Sequence, residues 1–260
     1  MRFTILGPVG YEIEGQFHSI RGSRQRTLLA ALLVSGGRPV PAEQLYTELW
    51  GESPPTTANN SLQAHIYRLR GTLQRLPAAA GKGPCVMTGA SGYALENDWD
   101  NLDTTLFRSG VAESRRVVDK DPRKAYALLD EALDLWRGSP LQDVAAGPIC
   151  QSVALQLDEE YMTALEDKLW LSIGCEDPTH VIGELKRMSS VHPWRERITE
   201  MLMLALYRCG RQAEAIEAYN SARRRLVDEL GMEPSMELRQ RFRDILNQAP
   251  SLRDFHPVRC

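Results

Sequence analysis

No stretch of about 18 apolar residues occurs in this sequence, so a membrane-spanning helix is not expected. The opening, "MRFTILGPVGYEIEG", alternates like a strand and lacks the long apolar core and cleavage site of a secretory signal. A cytoplasmic, nucleoid-associated location is therefore expected. Cysteine is sparse: residues 85, 150, 175, 209 and 260, with no C-x-x-C pair. That scatter argues for free thiols in a reducing compartment and against a disulfide frame or zinc site. Signatures of catalysis are missing too. The "GKG" at 81–83 lacks the Ser/Thr and upstream Gly of a phosphate-binding loop. No G-x-G-x-x-G follows a strand, and there is no H-E-x-x-H or G-x-S-x-G. No enzyme, cofactor or metal is expected. The acidic clusters "DEE" at 158–160 and "CED" at 175–177 read as solvated charge.

Negative charge is absent unevenly. The net charge is -3, which by itself argues against a nucleic-acid partner. Residues 1–96, however, carry nine Lys/Arg against six Asp/Glu, and the remainder carries 22 against 28. No acidic residue occurs from Gly15 to Ala42 or from Ser53 to Leu95. A compact region with two such stretches can gather a positive face, and two regions of opposite sign suggest two kinds of partner.

The first twenty residues read as short strands, with turn signals at Gly7-Pro8 and Glu14-Gly15. In "GSRQRTLLAALLVSGG", a first helix is expected with Ser23 as N-cap, a buried side of Leu28, Leu29, Leu32 and Leu33, and a stop at Gly36-Gly37. In "PVPAEQLYTELWG", a second has Pro41 and Glu43 in its first turn and closes at Gly51. The third, "NNSLQAHIYRLRGTLQRL", is capped by Thr56 or Thr57 and ends in "LPAAAGKG". "CVMTGASGYALEN" reads as two strands about a tip at Gly89 to Gly92, with Tyr93 and Leu95 in the core. Strands, three helices and a hairpin make a winged helix-turn-helix with an N-terminal sheet. The loop "GESPPTT" between the second and third helices is longer than the roughly 3–4 residues of a simple helix-turn-helix.

From Asp103 onward only helices are expected, at about 103–119, 123–137, 149–173, 178–190, 194–209, 212–229 and 235–247, by the placement of Pro and Gly breakers. "ALYRCGRQAEAIEAY", 205–219, matches the tetratricopeptide helix-turn-helix spacing. The expected fold class is thus mainly α: a winged helix-turn-helix over 1–96 with a small β-sheet and wing hairpin, an all-helical tetratricopeptide-like domain over 103–250, and a tail over 251–260. The sequence assigns no role to the tail.

The third helix carries the strongest functional signal. Its apolar residues, Leu62, Ile66, Leu69, Leu73 and Leu76, form one stripe. At 100° per residue, Asn60, Ala64, Tyr67, Arg68, Gly71 and Arg75 lie opposite. Small Ala64 and Gly71 allow close approach of a duplex. Arg68 is central and suits a bidentate contact to guanine O6 and N7, while Asn60 and Gln63 can read adenine or hold phosphate. His65, Tyr67 and Arg70 flank this face and suit phosphates. The plainer alternative is a solvated helix whose arginines cover a neighbouring domain. Arg24 and Arg26, before the first helix, read as a phosphate clamp or as an unpartnered basic cap. Thr88 and the hairpin tip can lie along a backbone or minor groove. Trp136 is expected in the core, Gly138 at a left-handed helix C-cap, and Trp194 and Tyr219 as packing between repeats.

Together these motifs resemble the Streptomyces antibiotic regulatory protein family of transcriptional activators. The carrying segments are "LLAALLVSGGRPVPAEQLYTELWGESPP", "NSLQAHIYRLRGTLQ", "GYAL", "LDLWRGSPL", "HPWRERITEMLMLALYRCGRQAEAIEAY" and "RRRLVDELGMEPSMELR", in this order over nearly the whole chain. The resemblance implies an OmpR-like winged helix followed by a bacterial transcriptional activation domain, in the manner of the small, stand-alone members. The family's H-I-x-R-L-R segment stands here as His65 to Arg70, which implies base contact by Arg68, with Ser61 and Ala64 beside it. Tyr67 departs from the small or basic residue common there. The resemblance further implies binding of double-stranded promoter DNA at direct repeats near the -35 element, as a homodimer on DNA. RNA polymerase holoenzyme would be recruited, its sigma factor included, with Glu52, Ser53, Pro54 and Pro55 facing the polymerase. The output would be activation of an antibiotic gene cluster. Two other readings stay open from sequence: a tetratricopeptide-like scaffold in which DNA is incidental, and a repressor using the same DNA-binding face.

Overall fold

The computed structural model describes residues 1–77, 83–145, 147–175 and 177–252. Part of the "GKG" motif and the tail beyond Leu252 lie outside them. The chain is mainly helical, with a winged helix at its N-terminal end and an all-helical remainder. Its first compact unit comprises 1–110 with 131–162, and its second 111–130 with 163–260. Among the described residues no helix is long and apolar enough to cross a membrane.

The first unit opens with an antiparallel sheet in the order β1 (Arg2–Thr4), β2 (Gly10–Ile13), β3 (Gln16–Ser19). β3 was not separately legible, because all four of its residues are exposed. Three helices follow: α1 (Ser23–Val34), α2 (Ala42–Trp50) and α3 (Ala58–Leu73). α1 is buried continuously from Thr27 to Leu33, which makes it the central element of the winged helix. Its N-cap is Gly22 at φ 89°, one residue before the expected Ser23. The left-handed backbone there favours glycine over serine. α3 buries Leu62, Ile66, Leu69 and Leu73, whereas Leu76 falls beyond its end. The wing is a hairpin of β4 (Cys85–Gly89) and β5 (Gly92–Glu96). Tyr93 is only half-buried, but its backbone bridges to Val40 through paired bonds of 2.8 and 2.9 Å. That bridge fixes the wing on the α1–α2 connection. A Cβ on Gly92 would lie 2.1 Å from the Val40 carbonyl oxygen, so only glycine fits.

Between β1 and β2 the chain goes inside. Ile5, Leu6 and Val9 are buried almost completely. A buried loop leaves backbone groups that need partners. Asp103, first residue of α4 (Asp103–Val117), accepts from Ile5 N at 2.8 Å and Leu6 N at 2.9 Å. Asp143 accepts from Val9 N at 2.7 Å. The loop carbonyls are taken by Arg137 N on Leu6 O and Leu141 N on Ile5 O, at 2.8 and 3.0 Å. Arg137 also reaches Glu12 at 2.9 Å and Asp103 at 3.4 Å with its guanidinium.

This return of residues 137–143 differs from the expected helix running to 137. α5 (Pro122–Leu133) stops at Leu133. Gly138 therefore caps nothing; its φ of 148° accommodates a bend where a Cβ would meet Gln142 Oε1 at 2.4 Å. Trp136 is half-buried between Phe107 and Tyr161, with ring centroids at 5.3 and 4.8 Å. A second carboxylate works as Asp103 does. Glu48 of α2, 3% exposed, accepts from Ile149 N at 2.6 Å and Cys150 N at 3.4 Å, at the start of α6 (Pro148–Cys175). A buried anion there satisfies helix-end donors and complements the dipole.

In the second unit, α7 (Thr179–Val191), α8 (Glu196–Arg208), α9 (Gln212–Leu230) and α10 (Met236–Leu246) follow one another through short connections, each packed on the next. α8 is the hub, buried from Met201 to Leu206. Gly210, at φ 74°, turns the chain from α8 into α9 as the tetratricopeptide spacing predicts. Tyr219 is buried and stacks on Phe242 with centroids 4.0 Å apart, but Trp194 is 45% exposed and does not pack as expected. It lies in the α7–α8 connection rather than on a helix face. Cys85, Cys150 and Cys209 are free thiols, and burial raises the Cys150 thiol well above the ordinary range.

Burial pushes Asp103 up to about 6, against the opposing pull of the Leu6 and Ile5 amides and Arg137. The folded value lies above the unfolded one, so the folded state binds the extra proton between them. The stability Asp103 contributes is full below about 3.8 and is lost as pH rises through about 6. Asp103→Asn, which keeps an acceptor for both amides, should flatten the denaturation midpoint between pH 4 and 6. Asp103→Ala should lower stability by about 2–5 kcal/mol, because two buried amides lose their acceptor. Urea titrations across that pH range check both; an unaltered slope in Asp103→Asn would remove Asp103 as its source.

Candidate nucleic-acid interface

α3 is amphipathic because its apolar residues recur at three- and four-residue spacing, and the buried stripe fixes what the other side shows. Asn60, Gln63, Tyr67, Arg68 and Arg75 are exposed; Ser61, Ala64, His65, Arg70 and Gly71 are half-buried. Tyr67 is 79% exposed, a large value for an aromatic residue. A Cβ on Gly71 would find only the Arg75 guanidinium, at 4.0 Å, so the surface there is open. The Arg68 side chain makes no ion pair among the described residues. Arg75, just past the end of α3, donates its Nε to Gly71 O at 2.9 Å and makes no ion pair among the described residues. The result is a face with two uncompensated guanidinium groups and small residues between them.

The other basic residues divide. Arg24, exposed on α1, places its guanidinium over the Trp50 ring at 5.6 Å. Such a contact orients a cation without neutralising it. Arg26 does not join it. It forms an ion pair with Asp143 at 2.9 Å and donates to Ile20 O at 3.1 Å. Its charge is compensated because residue 143 returns to this part of the first unit. Arg70 is also engaged: its Nε donates to Val86 O at 2.8 Å and its Nη2 to Thr88 Oγ1 at 2.6 Å. These expected phosphate ligands bond to each other and join α3 to the wing. Thr88 and the tip from Gly89 to Ser91 remain exposed. Glu52, Ser53, Pro54 and Pro55 form an exposed connection between α2 and α3.

His65 sits where α1, α2 and α3 converge. Its ring centroid is 6.2 Å from that of Trp50, itself 6.0 Å from Tyr46. Its Nδ1 lies 2.9 Å from the Gln25 side-chain nitrogen. Burial, then the positive charges of Arg68 and Arg24, hold His65 below the usual histidine value. Gln25 and Trp50 were not among the residues the sequence pointed to. Trp50 left one signal, an aromatic at a helix end in a basic region. Gln25 left none, since nothing local pairs residues forty positions apart.

Residues 20–84 match the family model "Transcriptional regulatory protein, C terminal", and residues 102–246 match "Bacterial transcriptional activator domain". The chain is 38% identical over 253 residues to the transcriptional regulator RedD of Streptomyces coelicolor, covering 97% of this chain and 72% of that one. It is 31% identical to the regulatory protein DnrI of Streptomyces peucetius, covering 97% and 94%. Among solved structures, EmbR of Mycobacterium tuberculosis in complex with a phosphopeptide superposes with a TM-score of 0.87 at 30% identity. That match covers 96% of this chain and 65% of EmbR.

Arg70 is the hinge between helix and wing. Arg70→Ala should destabilise the first unit by about 1–2 kcal/mol through two lost hydrogen bonds, and should speed amide exchange in β4 and β5 above that in α1. Arg70→Lys should not restore protection, because an ammonium cannot present the guanidinium fork to both acceptors. Hydrogen exchange read strand by strand decides this; uniform protection in Arg70→Ala would deny the link.

Proposed function

Because the chain belongs to the Streptomyces antibiotic regulatory protein family of DNA-binding transcription regulators, which are not enzymes, we propose that it activates a secondary-metabolite gene cluster from promoter DNA. It binds direct repeats near the -35 element with α3 in the major groove. The observation that carries this reading is the acid-free outer face of α3, with Arg68 unpaired at its centre.

On this reading Arg68 reads a guanine through O6 and N7, with Ser61 and Ala64 close to the base edges. Asn60 and Gln63 read adenine or hold phosphate; His65, Tyr67 and Arg75 contact the backbone. The clamp at α1 falls to Arg24 alone, since Arg26 is compensated by Asp143. Arg70 and Thr88 act as a joined pair that presents the wing to the backbone. Protomers on adjacent half-sites about one helical turn apart occupy the same side of the duplex and associate there as a homodimer. The acidic helical part joins them and engages RNA polymerase holoenzyme, with Glu52 to Pro55 facing its sigma factor. The protein acts in the cytoplasm, at the nucleoid.

Selection of sites from random duplex DNA at two salt concentrations tests this. A repeated motif with steep salt dependence is expected, and its spacing gives the protomer repeat. Absence of any enriched sequence with folded protein would favour a protein-interaction scaffold instead. On the selected site, Arg68→Ala should lose about 1–3 kcal/mol and relax preference at one base position. Equal weakening on all sequences would refute base reading. Arg24→Ala should weaken binding to every duplex and shallow the salt slope by about one. An unchanged slope would take Arg24 out of the clamp.

A further inference from the structure

Gln25 lies in the first turn of α1, one residue after Arg24. Its side-chain nitrogen is 2.9 Å from His65 Nδ1 and 3.3 Å from the His65 carbonyl oxygen. A carbonyl oxygen only accepts, so the end of the amide that faces it is the NH2 group. The same NH2 group then donates to Nδ1, which must carry a lone pair. The neutral ring therefore holds its proton on Nε2. A second proton, on Nδ1, would set two donors against each other.

The surroundings press the same way. The charged groups acting on the ring are Arg68 from its own helix and Arg24 from α1, both cations; α2 brings the uncharged Trp50 indole. Burial is the larger influence, and with these charges it keeps His65 below its ordinary value. The arrangement has a cost. Gln25 Oε1 is buried with no hydrogen-bond partner among the described residues. A leucine at this position would incur no such penalty, so packing alone does not account for the amide.

We propose that Gln25 is a positioning residue for DNA recognition, fixing His65 as an uncharged, Nε2-protonated donor to an oxygen of the duplex. This rests on the reading of α3 as the DNA-facing helix. An uncharged donor adds a directional contact without adding to counterion release, and the contact stays indifferent to pH through the neutral range. Charge attraction is left to Arg24, Arg68 and Arg75.

Long-range 15N–1H correlation of the imidazole in the full chain reads the tautomer, and binding to the enriched duplex at pH 6 and pH 8 reads its consequence. The wild type should show the Nε2–H tautomer. Gln25→Leu should give mixed tautomers and a higher His65 titration midpoint, because the donor opposing Nδ1 protonation is gone. Its affinity at pH 8 should fall roughly three- to tenfold, the range of one neutral hydrogen bond. Its salt slope at pH 6 should be steeper than that of the wild type, by a fraction of one charge, from the partial protonation the ring gains. Gln25→Glu keeps the length but accepts from Nδ1–H, so it should reverse the tautomer; it supplies the comparison if Gln25→Leu does not fold. An Nδ1–H tautomer in the wild type, with DNA binding intact, overturns the assignment to Gln25 alone. A changed tautomer with unaltered pH and salt profiles overturns the role of the ring in binding. Failure of the wild type to bind any duplex, with the tautomer as expected, overturns the reading of α3 and with it the DNA contact.

Discussion

The structure of the first unit depends on a loop that has gone inside. Residues Ile5, Leu6 and Val9 supply apolar surface to the core, but their backbone carries donors and acceptors that water no longer reaches. Those groups find partners in segments about a hundred residues or more away: Asp103, Arg137, Leu141 and Asp143. Gly7 makes the approach possible, since a Cβ there would lie 3.0 Å from that of Arg137. Remove any of these partners and a buried polar group is orphaned, which costs more than the bond itself contributes. The loop between β1 and β2 is therefore satisfied by the return of residues 137–143.

The same segments discipline charge. Glu12 would be raised by burial, but Arg2 and Arg137 outweigh that and hold it below the ordinary carboxylate range. Glu48 is turned inward to cap α6, and Asp143 takes Arg26. Glu12, Glu48, Asp103 and Asp143 are thus engaged by backbone amides and guanidinium groups, and α3 itself carries no acidic residue. That face needs no great excess of positive charge, only distance from carboxylates. A protein with net charge -3 can so present an interface suited to a polyanion.

Two kinds of basic residue result. Arg26 and Arg70 are structural, one tying α1 to Asp143 and the other tying α3 to the wing. Arg24, Arg68 and Arg75 keep their charge outward. Arg24 is oriented by an aromatic ring and not by a carboxylate, so it remains available to an anion. Arg24 and Arg26 share one basic stretch and were both expected on phosphate, and Arg70 was expected on phosphate beside a base-reading Arg68. The folded chain separates them.

What the sequence determined by itself was local and periodic. The stripe from Leu62 to Leu73 fixed which side of α3 faces outward, the Pro and Gly breakers placed the seven later helices of the described residues except for the end of α5, and the acid-free stretches set the sign of the candidate interface. Spacing alone suffices for these, because a helix face is decided by neighbours three and four residues away. Tertiary structure decided which ionisable groups are free. Arg26 meets Asp143, Arg137 meets Glu12, and Gln25 meets His65 across separations that no local pattern encodes. It also ended α5 at Leu133, because residues 137–141 are needed at the N-terminal loop, where backbone satisfaction outweighs helix continuation. Periodicity says where a side chain points; only the folded chain says what it meets.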